Sequence, residues 1–294
     1  MGNSIENDMV LISKGIFTVG PIIPTLKDEA APPQNKKNNT AEHEIMTLVT
    51  KQVELTRDFY IGKHPVTQEL WESVKGSNIS YFKNPKHPVE RVNWFDCIIF
   101  CNELSEKEEL TPAYTIPEAI FDLMKRRSQF AELYEYSKSI QLNLDANGYR
   151  LPTEAEWEIA AQGVPSDEDI ERTFFSGSAD PDEVAWHSGN AKNTTQPVGQ
   201  KSANRFGLHD MSGNVFEWCW DRFDIALPED DVPRHVIQKD IDIDPIGLSD
   251  SFERIRRGGS YQLLPASCVV FNRYYIDPDY RDNDLGFRLA RSSV

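Results

Sequence analysis

Four cysteines and six histidines are the side chains here best suited to nucleophilic or metal chemistry, and their spacing excludes most of it. Cys97 and Cys101 stand at i and i+4 on a predicted helix. Their thiols then stack on one face, a geometry that rarely closes a disulfide. A metal site on that pair would need histidine or more cysteine nearby, and neither is present. Both read as small buried apolar residues. Cys219 and Cys268 stand alone in sequence, and no two of His43, His64, His87, His187, His209 and His235 sit at helical spacing.

The second possible chemistry is recognition. Arg256-Arg257-Gly258-Gly259-Ser260-Tyr261 and Leu285-Gly286-Phe287-Arg288-Leu289-Ala290 read as framework. Gly258-Gly259 admits positive φ and close backbone approach. Leu285 to Ala290 alternates like a half-buried strand. Between them, Gln262 to Asp284 places Leu263, Leu264, Val269, Val270, Phe271, Tyr274, Tyr275, Ile276 and Tyr280 among two prolines and four aspartates. Such a loop is either buried under other elements or a binding surface.

The elements that must hold this loop are legible in part. Strands are predicted over Met9–Ile12, over Gly15–Gly20, and over Val49–Arg57 continuing into Phe59-Tyr60-Ile61. The polar stretch 26–46 reads as a mobile loop. Thr67 is a predicted N-cap for a helix carried on by Glu69 to Val74. Asn93 caps a longer one, to about Leu110, with Trp94, Cys97, Ile98, Cys101 and Leu104 on one apolar stripe. Residues 119–136 form a charged helical segment. Thr153 with Glu156 three residues on makes a capping box, and that helix stops at Gly163-Val164-Pro165. Residues 176–214 are dense in turn formers and place tryptophans among loops.

At 294 residues with 39% hydrophobic content, the chain can bury a sizeable core. A net charge of −16 argues against a nucleic-acid partner. No apolar run is long enough to span a membrane. Met1 to Asp8 is polar and acidic, with no apolar export core.

Two long motifs now carry a family resemblance: Gly148-Tyr149-Arg150-Leu151-Pro152-Thr153-Glu154-Ala155-Glu156-Trp157-Glu158 and Gly207-Leu208-His209-Asp210-Met211-Ser212-Gly213-Asn214-Val215-Phe216-Glu217-Trp218. With Arg257-Gly258-Gly259-Ser260-Tyr261 and Leu285-Gly286-Phe287-Arg288, they resemble, in order and spacing, the formylglycine-generating-enzyme (sulfatase-modifying factor) family. The resemblance covers nearly the whole chain. It implies an α+β, C-type-lectin-like fold: a small twisted antiparallel sheet, two main helices and long loops. The expected organisation is one domain over 1–294, with a helical insert near 114–147 and a variable region near 256–294. Trp157, Phe216 and Trp218 are expected as buried anchors, and Glu154 or Glu156 as structural partners of Arg150 or of helix-start amides.

The family's oxidase needs two cysteines five apart after the Gly-Gly-Ser motif, to hold copper through soft thiolates. Here those positions are Leu263 and Cys268, so one thiol is missing and neither copper nor iron is expected. A branch with a His-rich iron site on an added helical domain is not expected, since no two histidines here stand at helical spacing. Residues 263–285 contain no Lys, Glu, Gln, Met or Trp. Those five cannot arise from adenine-mutated Asn codons, so the stretch resembles the variable regions of proteins diversified by retroelements, the class of the Treponema variable proteins. That resemblance implies a non-catalytic ligand-binding protein, exported or at the cell surface, with its export signal outside this sequence. The ligand-binding residues it implies are Leu263, Leu264, Ala266, Ser267, Val270, Tyr274, Tyr275, Asp279, Tyr280, Asp282 and Asp284. The tyrosines would give rigid contact area, Leu263, Leu264 and Val270 an apolar centre, and the aspartates a polar rim. The expected partner is a macromolecule, with protein favoured over a small molecule. The family also implies a structural calcium site at Asp210, Glu217 and the carbonyls of Gly213 and Val215, hard oxygen donors at short spacing.

Overall fold

The computed structural model describes residues 5–21, 50–126, 130–166, 168, 170–223, 241–247 and 251–293. The expected loop over 26–46 lies outside them. The elements in chain order are β1 (Met9–Ile12), β2 (Gly15–Val19), β3 (Lys51–Leu55), β4 (Phe59–Gly62), α1 (Gln68–Lys75), α2 (Trp94–Lys107) and β5 (Tyr114–Thr115). Next come α3 (Glu118–Arg126), α4 (Phe130–Ser137), β6 (Gln141–Leu142), β7 (Tyr149–Arg150), α5 (Glu154–Gln162) and α6 (Pro181–Val184). The chain closes with β8 (Phe216–Arg222), β9 (Ile241–Ile243), β10 (Arg254–Arg257), β11 (Tyr274–Ile276), β12 (Leu285–Phe287) and β13 (Ala290–Ser292).

Helix starts follow the predicted chemistry. Asn93 accepts from the Asp96 amide while Asp96 accepts from the Asn93 amide, closing a reciprocal cap at the head of α2. Thr153 and Glu156 do the same for α5, and Gly163 ends that helix at φ 65°. Helix α2 differs from expectation in one respect. Phe95, Ile99, Phe100 and Ser105 are buried along with the predicted stripe, so the helix is covered on nearly every side.

The strands form several small sheets rather than one. β1, β4, β13 and β7 make an antiparallel sheet that joins the start of the chain to its end. β11, β10, β8 and β12 make the sheet beneath the C-terminal loops, and its β12–β8 pairing is parallel. β2, β3 and β9 form a third sheet, and β5 pairs with β6 across the helical pair α3 and α4. Two apolar clusters fill the interior. One gathers around α2 with Trp218, Phe216 and Phe287; the other gathers around α5 with Trp157, Ile61 and Ile255. Trp157, Trp218 and Phe216 have no exposed surface, so each is a full anchor.

Buried ion pairs join these layers. Arg150 grips both Glu156 oxygens at 2.6 and 2.7 Å, and Glu156 also accepts the Thr153 amide. Arg273 holds Glu154 through two bonds of 2.6 and 2.7 Å, and Arg257 pairs with Glu158. Glu156 therefore serves Arg150 and a helix-start amide together, the structural role expected for it.

Candidate ligand-binding surface

The loop that follows β10 is framed at both ends. Gly258 and Gly259 adopt φ of 91° and 73°. A Cβ on Gly259 would meet Cys268 Sγ and Ser267 O at 2.8 Å, so both backbone sign and space demand glycine there. Ser260 Oγ donates to Asp284 Oδ2 at 2.7 Å, tying the start of the loop to its end. Tyr261 Oη donates to Asn283 Oδ1 at 3.1 Å, and Gln262 Nε2 donates to the same oxygen at 2.8 Å. The side chains between these ties are thereby held on a fixed base.

The predicted residues divide by placement. Val270, Tyr274 and Asp284 face inward, so they are framework rather than display. Val270 packs in the cluster around α5. The Tyr274 ring meets Phe216 edge-on at 4.9 Å and its hydroxyl donates to Ser267 O at 3.0 Å. Burial follows from β11: this short strand pairs with β10, which turns Tyr274 in and leaves Tyr275 half-buried. Tyr275 lies stacked on Phe223 at 3.7 Å between centroids. Leu263 is half-buried and packs against both apolar clusters. Facing outward are Leu264, 61% exposed, with Ala266 and half-exposed Ser267 on a single 3-10 turn, and Asp279, Tyr280 and Asp282 on the later turn. Tyr280 donates to Asp282 Oδ2 at 2.8 Å, and burial together with that carboxylate pushes its phenol up to about 12. The Gln262–Asn283 bond joins the two groups into one surface.

Cys268 is buried, its Sγ lies 3.7 Å from Ser260 O, and desolvation pushes its thiol up to about 12. With Leu263 in the other position, a two-thiolate copper site cannot be assembled. The expected calcium donors already carry protein partners. Glu217 is already neutralised by Arg288, at 3.0 Å to Oε2 and 2.8 Å to Oε1, and Oε2 also accepts Trp157 Nε1 at 2.7 Å. Asp210 accepts the Gly199 amide at 2.8 Å, and burial raises its pKa. A hard dication needs carboxylates whose charge is not already met, so Glu217 is a poor calcium ligand, whereas Asp210 accepts only from the neutral amides of Gly199 and the Asn214 side chain. Among the described residues no three His, Cys, Asp or Glu side chains converge on a metal position. The stacked rings of His64 and His209, 5.0 Å apart, do not supply one.

One part of the surface escaped the sequence. The turn 78–83 lies against the same face: Phe82 meets the Tyr261 ring edge-on at 5.7 Å, and Tyr81 meets Phe82 at 4.9 Å. Only the Ile79-Ser80-Tyr81-Phe82 run, set between Gly76 and Pro85, hinted at it. No helix of the described residues is long and apolar enough to cross a membrane.

Comparison with known proteins agrees with this geometry. The family model of the sulfatase-modifying factor enzyme 1-like domain matches residues 3–293. Among solved structures, Treponema denticola variable protein 1 superposes with a TM-score of 0.75 at 31% identity, over 97% of this chain and 95% of that one. Its fold likeness confirms the mixed α+β, C-type-lectin-like architecture. The chaperone protein LppX of Paenibacillus barcinonensis is 45% identical over 181 residues, 56% of this chain and 62% of the relative. The formylglycine-generating enzyme of Streptomyces coelicolor is 32% identical over 165 residues, 50% of this chain and 48% of the enzyme. The chain thus spans less than two thirds of the length of both of these relatives.

Proposed function

We propose, for a chain that belongs to the sulfatase-modifying factor enzyme 1-like domain family, that it is a non-catalytic ligand-binding protein displayed outside the cell. Its ligand surface is Leu264, Ala266, Ser267, Tyr275, Asp279, Tyr280 and Asp282, and those positions are diversified by a retroelement. The carrying observation is the contrast between frame and display. The loop ends are fixed by Gly258-Gly259, Ser260–Asp284 and Gln262–Asn283, while Leu264, Ala266, Asp279 and Tyr280 stand exposed between them and Tyr275 is half-buried on Phe223. A rigid base under adaptable side chains limits the ordering cost of binding. Resemblance to a variable protein over nearly the whole chain supports the same reading, as does the residue set of 263–285. The ligand is a polypeptide: the surface is broad and aromatic, and a 45% identical relative is a chaperone.

Sequencing the locus across isolates tests the diversification. Differences are expected at Leu264, Ala266, Asp279, Tyr280 and Asp282, with Gly258-Gly259-Ser260 and Gly286-Phe287-Arg288 fixed. Invariance at these five positions overturns it and leaves a fixed binding module.

The oxidase reading draws on the 32% identical enzyme. Against it stand the leucine at position 263 and the buried, high-pKa thiol of Cys268. The purified chain is expected to give up copper(I) fully to a colorimetric chelator. Retention of one copper per chain, abolished by Cys268→Ser, would restore the enzyme reading.

A further inference from the structure

We propose that the turn 78–83 is the second wall of the ligand surface, with Tyr81 as its aromatic anchor, and that it takes a polypeptide segment carrying basic side chains. This rests on the proposed ligand-binding function. Four observations carry it.

First, Tyr81 is 62% exposed and Ile79 is 37% exposed, side by side on one turn, where a folded chain gains nothing from showing them. Second, the turn is braced rather than loose. The buried Gln68 side chain donates to Phe82 O at 2.6 Å and accepts from the Asn84 amide at 3.0 Å and from Asn78 at 2.8 Å. Glu90 accepts the Phe82 amide at 2.8 Å. A tyrosine held out on a fixed backbone is a low-entropy contact, the kind that dominates binding surfaces.

Third, the wall is continuous with the C-terminal face. The ring series Tyr81, Phe82, Tyr261 runs into the Tyr261–Asn283–Gln262 cluster, and the Arg91 amide donates to Asp282 O at 2.8 Å. Fourth, the charge selects the partner. Arg281 is paired with Asp96, so its cation does not offset its neighbours. Asp277 and Asp279 stand exposed two residues apart with Asp282 beside them, outnumbering the exposed Lys83 and Arg91 of the facing turn, and burial together with Asp279 raises the Asp277 carboxyl. A partner with lysine or arginine beside an apolar or aromatic residue meets both features.

The test uses the full chain and a phage-displayed library of random peptides. Binders are selected on the wild type and measured against Tyr280→Ala, Leu264→Asp and Tyr81→Ala, each first checked for an unchanged melting temperature. Peptides that lose about tenfold or more with Tyr280→Ala or Leu264→Asp are expected to lose about tenfold with Tyr81→Ala as well. They should be rich in Lys and Arg and should weaken as salt rises. If such peptides bind Tyr81→Ala at full strength, the second wall is refuted. Peptides sensitive to Tyr81 alone would keep the turn and overturn the C-terminal face instead. A surface where no peptide responds to any of the three variants overturns both, as does a wild-type dimer that Tyr81→Ala converts to monomer, since the occupant is then a second copy.

Discussion

Arg288→Met is expected to cost the fold about 4 kcal/mol, because it strands the buried carboxylate of Glu217 without its cation. Neither side chain has appreciable exposure. Arg288 reaches Glu217 through two nitrogens, and its remaining donors go to Gly62 O at 2.7 Å and His209 O at 2.7 Å. One guanidinium thus links β4, β8, the 209 turn and the corner after β12. The check is urea unfolding, where the midpoint should fall by about 1 M or more. The double variant Arg288→Met/Glu217→Gln should recover part of the loss. Glutamine carries no charge to strand, and its carbonyl can still accept Trp157 Nε1. A single variant that costs less than about 1 kcal/mol would show that Glu217 is not held by this pair.

The consequence reaches the ligand surface. Trp157 packs under Gly258, with 3.2 Å from its ring to where a Cβ would stand. The Glu217–Trp157 bond at 2.7 Å fixes that ring. Loosening the pair should therefore loosen the Gly258-Gly259 turn that aims the loop. Glu217 and Asp210 both spend oxygens on protein donors at the foot of the loop.

Local features were the ones legible in the sequence. The caps at Asn93 and Thr153 work within three residues, so residue types alone reveal them. The Arg150–Glu156 pair spans six residues and was within reach for the same reason. Arg288 and Glu217 lie 71 residues apart, and nothing in either neighbourhood names the other. The candidate surface divides the same way. Its frame was legible in the double glycine, whereas the half-buried strand expected over Leu285 to Ala290 is two short strands, Leu285–Phe287 and Ala290–Ser292, with residues 285–290 all buried. The inward turn of Tyr274 was not, because β11 is three residues long and Tyr-Tyr-Ile hides which side faces the core. The 78–83 turn was missed because side chains, chiefly Gln68 and Glu90, hold it instead of a periodic backbone pattern.

Glu90→Gln is expected to make the protein more stable above neutral pH and to flatten its response below. Glu90 has no exposed surface. One oxygen accepts the Phe82 amide, and Oε2 has no hydrogen-bond partner among the described residues. Desolvation, only partly offset by the Tyr81 and Phe82 amides, moves its carboxyl up to about 7 from an ordinary 4.5. The folded state therefore holds a proton that the unfolded chain has released between about 4.5 and about 7. Across that window native protein binds more protons than unfolded protein, so stability falls as pH rises, and it levels off above about 7. Glutamine has no such proton to lose. The wild-type chain should drop by about 2 kcal/mol relative to Glu90→Gln between pH 5 and pH 8, measured by urea unfolding at each pH. Asp221 is raised to about 7 as well and His64 is lowered to about 4, but both are common to the two proteins and cancel in the difference. Parallel curves would mean that the carboxylate is satisfied in the fold. Diverging curves would mean that the brace under Tyr81 is tightest when Glu90 is neutral, so the wall it holds would be firmest below neutral pH.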